Sequence, residues 1–229
     1  GGDREEIGRA LRRIRQEQIV LLGWRDLVGK APLSEVLETL STLADAAIDA
    51  ALKCAHLELV NRFGQPIGEN SGKPVQLTVL GLGKLGGREL NMSSDIDLVF
   101  AYRENGSTDG TQSISNHEFF IKLGQALIDI LQTPTADGLV FRVDMRLRPN
   151  GDSGPLALSF DAIDHYFLTH GREWERYALI KARPVAGDIA SGMELLGSLR
   201  PFIYRKYLDF GAFESIRSMK TLIDRELAK

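Results

Sequence analysis

Two aspartates separated by one residue, Asp95 and Asp97, stand in the stretch GLGKLGGRELNMSSDIDLVF (81–100). In a strand, side chains two apart share a face. Their carboxylates then project together, while Ile96, Leu98 and Phe100 enter a core. Like charges this close repel unless something positive lies between them. A divalent metal does that; magnesium takes oxygen ligands, usually one or two carboxylates plus substrate phosphates. A second stretch, VFRVDMRLRP (140–149), reads as another strand, with Arg142, Asp144, Arg146 and Arg148 on one face. If the two strands are neighbours, Asp144 joins the pair, and three carboxylates can hold two metals about 4 Å apart. The arginines would then meet the phosphate that the metals polarise.

The glycines upstream suit the same chemistry. Gly81, Gly83, Gly86 and Gly87 precede the aspartates, and glycine lets backbone N–H groups approach a phosphate closely. A short helix near 84–90 would aim its N-terminus at the anion. Neither a dinucleotide fingerprint nor a P-loop is present. A lone Asp-x-Asp is most often a solvated face, and a lone glycine cluster most often a turn. The combination is what points to metal-assisted chemistry on a phosphate.

These residues need elements to position them. Apolar spacing predicts a helix over 3–25 (Ile7, Leu11, Ile14, Leu21 or Leu22) and a stronger one over 33–62 (Val36, Leu40, Leu43, Ala47, Ala51, Ala55), stopped by Gly64. Residues 64–74 read as a polar linker, 76–82 and 95–102 as strands, and 103–113 as a loop. Ser115 and Glu118 form a capping-box pattern opening a helix that carries Phe120, Leu123, Leu127 and Leu131. After the strand at 140–149, LALS (156–159) is a fourth, followed by helices near 160–170, 173–182, 190–204 and 209–228. The fold class is α+β. The expected divisions are N-terminal helices at 1–63, an α/β core at 75–185 and a C-terminal helical segment at 186–229. Gly1 and Gly2 look added, and the pattern breaks off inside a helix; the chain reads as a piece of a longer protein.

The composition narrows the function classes. Of 229 residues, 43% are hydrophobic and 26% charged, with net charge −3, which is globular rather than disordered. That charge, with few aromatics, lacks the basic footprint of a nucleic-acid binder. The single Cys54 allows no internal disulfide and no zinc cluster, which suits a reducing compartment. No apolar signal or membrane-length run stands out, so a cytoplasmic location and no membrane partner are expected. His56, His117, His165 and His170 have no metal-like spacing, and Cys54 and Trp174 read as core or interface residues.

The glycine turn, Asp-x-Asp and later third carboxylate resemble the nucleotidyltransferase superfamily. GKLGGRELNMSSDIDLVF, FRVDMRLRPNGDSGPLALS and GREWERYALIKAR are similar, more closely, to the bifunctional enzymes that adenylylate and deadenylylate glutamine synthetase. The resemblance covers nearly the whole chain. It implies a polymerase-β-like core with a small mixed sheet, flanked by helices. Asn91-Met92-Ser93-Ser94 resembles the half of that family that removes AMP. Only seven residues separate Gly87 from Asp95, fewer than the superfamily's usual gap. The phosphate-contacting turn is then centred either on Gly86 and Gly87 or on Gly83 and Lys84.

The resemblance implies phosphorolysis, with inorganic phosphate as co-substrate and ADP released from adenylylated glutamine synthetase. It gives Asp95, Asp97 and Asp144 the role of holding Mg²⁺ or Mn²⁺. Gly86, Gly87, Ser93 and Ser94 would position phosphates. Arg146 and Arg148 would hold the nucleophile or the AMP phosphate, unless Arg148 only anchors the turn at Pro149. Lys181 and Arg183 would reach the same pocket or else complement a helix C-terminus. Regulation by the nitrogen-sensing PII protein, glutamine and 2-oxoglutarate is implied as well. The alternatives are AMP attachment from ATP with the same aspartates, and an idle regulatory module. A nucleic-acid nucleotidyltransferase is disfavoured by the acidic balance.

Overall fold

The computed structural model describes residues 2–204, 217–221, 224 and 225. Two long helices open the chain, α1 (Gly2–Leu27) and α2 (Leu33–Phe63). Next come β1 (Pro66–Gly68), β2 (Leu77–Gly81), the one-turn helix α3 (Gly83–Gly86), β3 (Ile96–Tyr102) and β4 (Gly106–Thr108). Helix α4 (Asn116–Gln132) leads to the short strands β5 (Val143–Asp144) and β6 (Ala157–Ser159). Helices α5 (Phe160–Thr169) and α6 (Glu173–Ile180) precede β7 (Arg183–Gly187), α7 (Ile189–Ser198) and α8 (Arg200–Ile203). The helix expected over 209–228 lies largely outside the described residues, of which 217–221 are helical.

The class is α+β, a small mixed sheet flanked by helices. Its order is β5-β3-β2-β7, and β6 also pairs with β3. Strand β3 runs antiparallel to β2 and parallel to β5 and β6, while β7 is antiparallel to β2. Helices cover both faces, which is why β2 (LTVLG) is buried at every residue instead of alternating. On one side Val79, Leu98 and Phe100 pack with Leu40, Ile48, Phe119 and Leu127. On the other, Leu80, Val99 and Ala101 pack with Ile163, Phe167, Leu179 and Leu195. Fully burying each valine, leucine, isoleucine or phenylalanine among them contributes roughly 1.5–3 kcal/mol.

The helix signals translate directly. Val36, Leu40, Ala47, Ala51 and Ala55 are the buried stripe of α2, and Gly64 ends it at φ 85°. The Ser115 hydroxyl accepts from the Glu118 N–H and caps α4. In α1 the stripe is thinner: Leu11 and Leu22 are buried, but Ile14 and Leu21 are exposed.

Three expectations need correction. The polar stretches 64–74 and 103–113 are not plain linker and loop. They contribute β1 and β4, a three-residue antiparallel ladder too short and too glycine-rich to show an alternating pattern. Residues 183–187, expected only as a connection between the helices near 173–182 and 190–204, form a strand, and β7 runs across the division expected at 185/186. Pro184 hid it, since proline suits only strand edges and irregular positions. Here β7 is an edge, and a register shift opposite Val79 and Leu80 accommodates the proline. Finally, the strand expected over 140–149 is only β5. The Asp144 carboxylate accepts the Arg146 N–H at 2.8 Å and turns the chain, an Asx turn that ends the ladder.

Gly187 holds the exit of β7 at φ 75°, where an added Cβ would lie 1.9 Å from the Leu77 carbonyl oxygen. Gly187→Ala should therefore destabilise the fold by about 1–3 kcal/mol. The check is a lowered urea midpoint with an unchanged slope; an unchanged midpoint would show that this backbone can shift freely.

Candidate nucleotidyltransfer site

Asp97 and Asp144 are register partners on the parallel strands β3 and β5, so their side chains leave the sheet on the same face. Asp95 lies two residues earlier on that face, just before β3. Farther along β3 the face continues into Val99 and Ala101, members of the second core. The carboxylates therefore occupy the mouth of a core, where water is only partly available. The Asp97 carboxyl is pushed above the usual carboxylate range by burial first, then by repulsion from Asp144 and Asp95, with Arg146 and Lys84 pulling the other way. That mutual repulsion places all three acids in one cluster.

Cations answer two of the three. The Arg142 guanidinium donates from Nε to Asp95 and from Nη2 to the Ser93 carbonyl at 2.9 Å. Arg146 donates from Nε to both Asp144 oxygens, at 3.0 and 2.9 Å. These bonds hold the Asp144 carboxyl below its ordinary range. Among the described residues, no three His, Cys, Asp or Glu side chains converge as a ready cation cage. The donor set nonetheless fits a hard divalent ion, since it is purely carboxylate oxygen and two of its members are register partners. The arginines stand where a cation's charge would otherwise act.

The glycine turn lies against this cluster through Gly83. At φ 54°, a Cβ there would sit 2.4 Å from Asp97 Oδ2. The residue is glycine because the chain must pass directly beside the carboxylate. Lys84 Nζ donates to Ser94 Oγ at 3.3 Å. The Asn91 side-chain oxygen accepts from the Ser94 hydroxyl at 2.6 Å and from the Ser93 N–H at 3.2 Å. Ser93 and Ser94 are thus folded into a tight turn immediately ahead of Asp95.

The other expected residues are placed differently. A Cβ on Gly86 would meet the Lys181 carbonyl oxygen at 2.2 Å, so close backbone packing requires that glycine, while one on Gly87 would meet the flexible Lys181 side chain, with Cδ at 2.9 Å. Lys181 donates to Glu89 at 2.6 Å. Arg183 makes a two-pronged pair with Asp45 of α2, at 2.8 and 2.9 Å. Both are engaged by other carboxylates. Arg148 is nearly buried and donates to the Met145 and Gly154 carbonyls at 2.7 and 3.3 Å, anchoring the turn. Arg142 was visible as a same-face neighbour of Asp144 but not as the partner of Asp95. Asn91 gave no signal beyond its place in the motif.

Asp97 carries a sign for stability. Its folded pKa lies above the unfolded one, so the folded chain keeps the proton to higher pH. The resulting stabilisation is complete below the unfolded value and is lost as pH rises through the folded one. Asp144 runs the other way, its contribution lost as pH falls through its lowered value. At neutral pH Asp97 is therefore a net burden on the fold. Asp97→Asn should raise Tm at pH 7 by about 1–3 °C and flatten the fall in stability above pH 4. A Tm that drops instead would contradict the repulsion.

Two comparisons bear on this geometry. A family model described as glutamate-ammonia ligase adenylyltransferase matches residues 2–198. A bifunctional glutamine synthetase adenylyltransferase/adenylyl-removing enzyme of Nitrosococcus oceani is 56% identical over 225 residues, 98% of this chain and 23% of that protein. Proteins of the same name from Pseudomonas aeruginosa and Thioalkalivibrio sulfidiphilus are 55% and 54% identical, each over 99% of this chain and 23% of their own length. The chain thus spans about a quarter of the length of the curated relatives it matches. With its sheet, its three aspartates and a match across residues 2–198, the chain belongs to the glutamate-ammonia ligase adenylyltransferase family.

Proposed function

We propose that this chain is an adenylyl-removing nucleotidyltransferase domain that acts on glutamine synthetase by phosphorolysis. The observation that carries the reading is the register pair Asp97 and Asp144 with Asp95 beside them, ringed by Arg142, Arg146 and Lys84. The direction of the reaction rests on Asn91–Ser94, the stretch that resembles the AMP-removing half of the family.

In this reaction an oxygen of inorganic phosphate attacks the phosphorus of the adenylyl group, and the bond from phosphorus to the tyrosine oxygen breaks. ADP leaves, and the tyrosine phenolate takes up a proton. The nucleophile is already an anion near neutral pH, so no strong base is needed. A phenol of pKa about 10 is a tolerable leaving group without a dedicated acid. The obstacle is repulsion between two anions, and preorganised positive charge addresses it. Mg²⁺ or Mn²⁺ held by Asp95, Asp97 and Asp144 would supply the largest share of that charge. Arg146, mostly exposed beside Asp144, is our candidate for holding the incoming phosphate, and Lys84 with Ser94 our candidates for the transferred group.

The test mixes the chain with adenylylated glutamine synthetase and Mg²⁺, with and without inorganic phosphate, and identifies the nucleotide released. Phosphate-dependent ADP is expected, and Asp95→Asn or Asp97→Asn should lower its rate by about 10²-fold or more with the fold intact. Transfer of labelled AMP from ATP to the unmodified synthetase, with no release, would reverse the assigned direction.

A further inference from the structure

Of the three cations that border the aspartates, two are already taken. Arg142 is paired with Asp95, and Arg146 with Asp144. Lys84 makes no salt bridge among the described residues; its ammonium donates instead to the neutral Ser94 hydroxyl at 3.3 Å. A carboxylate in that position would cancel much of the charge. A hydroxyl locates the ammonium and leaves its charge for an anion. Lys84 also lies close enough to Asp97 to oppose the rise of that carboxyl.

The hydrogen bonds around Ser94 determine what its hydroxyl can offer. The Ser93 N–H can only donate, so the Asn91 side-chain atom facing it at 3.2 Å is the carbonyl oxygen Oδ1. The Ser94 hydroxyl lies 2.6 Å from the same oxygen. That oxygen only accepts, so Ser94 gives it the single hydroxyl proton. The lone pairs left on Ser94 Oγ suit the Lys84 ammonium and repel a phosphate oxygen. The ammonium has three N–H donors, and Ser94 engages one. We propose that Lys84 donates to the transferred adenylyl phosphate, while Ser94, oriented by Asn91, is a positioning residue that holds Lys84 and makes no contact with that phosphate. The proposal rests on the reaction assigned above and gives separate roles to two residues that it treats together.

The experiment is a double-mutant cycle of Lys84→Ala, Ser94→Ala and their combination, with Ser94→Thr beside them. It is read as kcat/KM for adenylylated glutamine synthetase and, independently of turnover, as the calorimetric Kd for ADP with Mg²⁺. Lys84→Ala should lower kcat/KM and weaken ADP binding by about tenfold each. Ser94→Ala should lose less than that, and Ser94→Thr, which keeps the hydroxyl, should restore both readouts. Once Lys84 is gone, Ser94→Ala should add nothing further. Equal losses from Ser94→Ala in the two backgrounds would overturn the proposal, because the serine would then bond the phosphate itself. Unchanged ADP affinity in Lys84→Ala would overturn it too. If the unaltered chain releases no ADP from the adenylylated synthetase, the assigned reaction fails, and the cycle is read from ADP binding alone. Non-additive losses there support the roles given to Lys84 and Ser94; an unaltered chain that does not bind ADP overturns them.

Discussion

Asp97 faces Asp144 across one interstrand spacing, with Asp95 on the same face, and no arrangement of side chains makes that comfortable. Burial removes the water that would screen the charges, and neighbouring carboxylates raise the cost further. A chain left to itself would rotate or expose these residues. The rest of the structure is what prevents it. Ile96 and Leu98 are fully buried on the opposite face of β3 and lock its register against β2. Register in a strand is all-or-none for facing, since a slip by one residue would exchange the apolar set for the carboxylates.

That locking explains why helices cover both faces of so small a sheet. A one-sided sheet would fix Ile96 and Leu98 but leave Val99 and Ala101 in water. With α5, α6 and α7 packed on the second side, β3 is held from both directions just beyond the acids. The pair between Arg183 and Asp45 adds a strap from β7 to α2 at the sheet edge, inside a partly dry region that raises the Asp45 carboxyl above its ordinary range despite the arginine. Strength is thus concentrated around the strand that carries the least favourable charges, a common compromise between stability and function.

What the sequence made legible follows from the same physics. The alternation of Asp95, Ile96, Asp97 and Leu98 is a two-residue period, and period survives without any knowledge of partners. Asp144 was found by the same parity, although its strand has only two paired residues. Parity failed immediately after it, because Asp144 bonds the Arg146 N–H and bends the backbone. Arg146 returns to the carboxylate through that turn rather than by sharing a strand face, and Arg148 goes to carbonyl groups instead. Strand β7 was hidden by Pro184, and the destination of Arg183 lies 138 residues away in the chain. The placement of α1 beside the approach to β5 was equally invisible. Arg15 is one arginine among many on that helix, and only the folded chain sets it over Phe141.

The three aspartates also differ in how firmly they are engaged. The side chains of Arg142 and Arg146 are 62% and 73% exposed, so their ion pairs are surface pairs despite their short contacts. Exposed pairs of this kind are screened by water and add little to stability. Arg183, by contrast, is 19% exposed and held by two parallel bonds to a carboxylate that is itself largely sheltered. One set of arginines is built to stay and the other to let go. A guanidinium that leaves a carboxylate at so small a cost is available to an anion arriving at the same place, and Arg142 and Arg146 each touch one of the aspartates. The loose pairing therefore keeps the acids partly neutralised and leaves beside them two cations that another partner can claim.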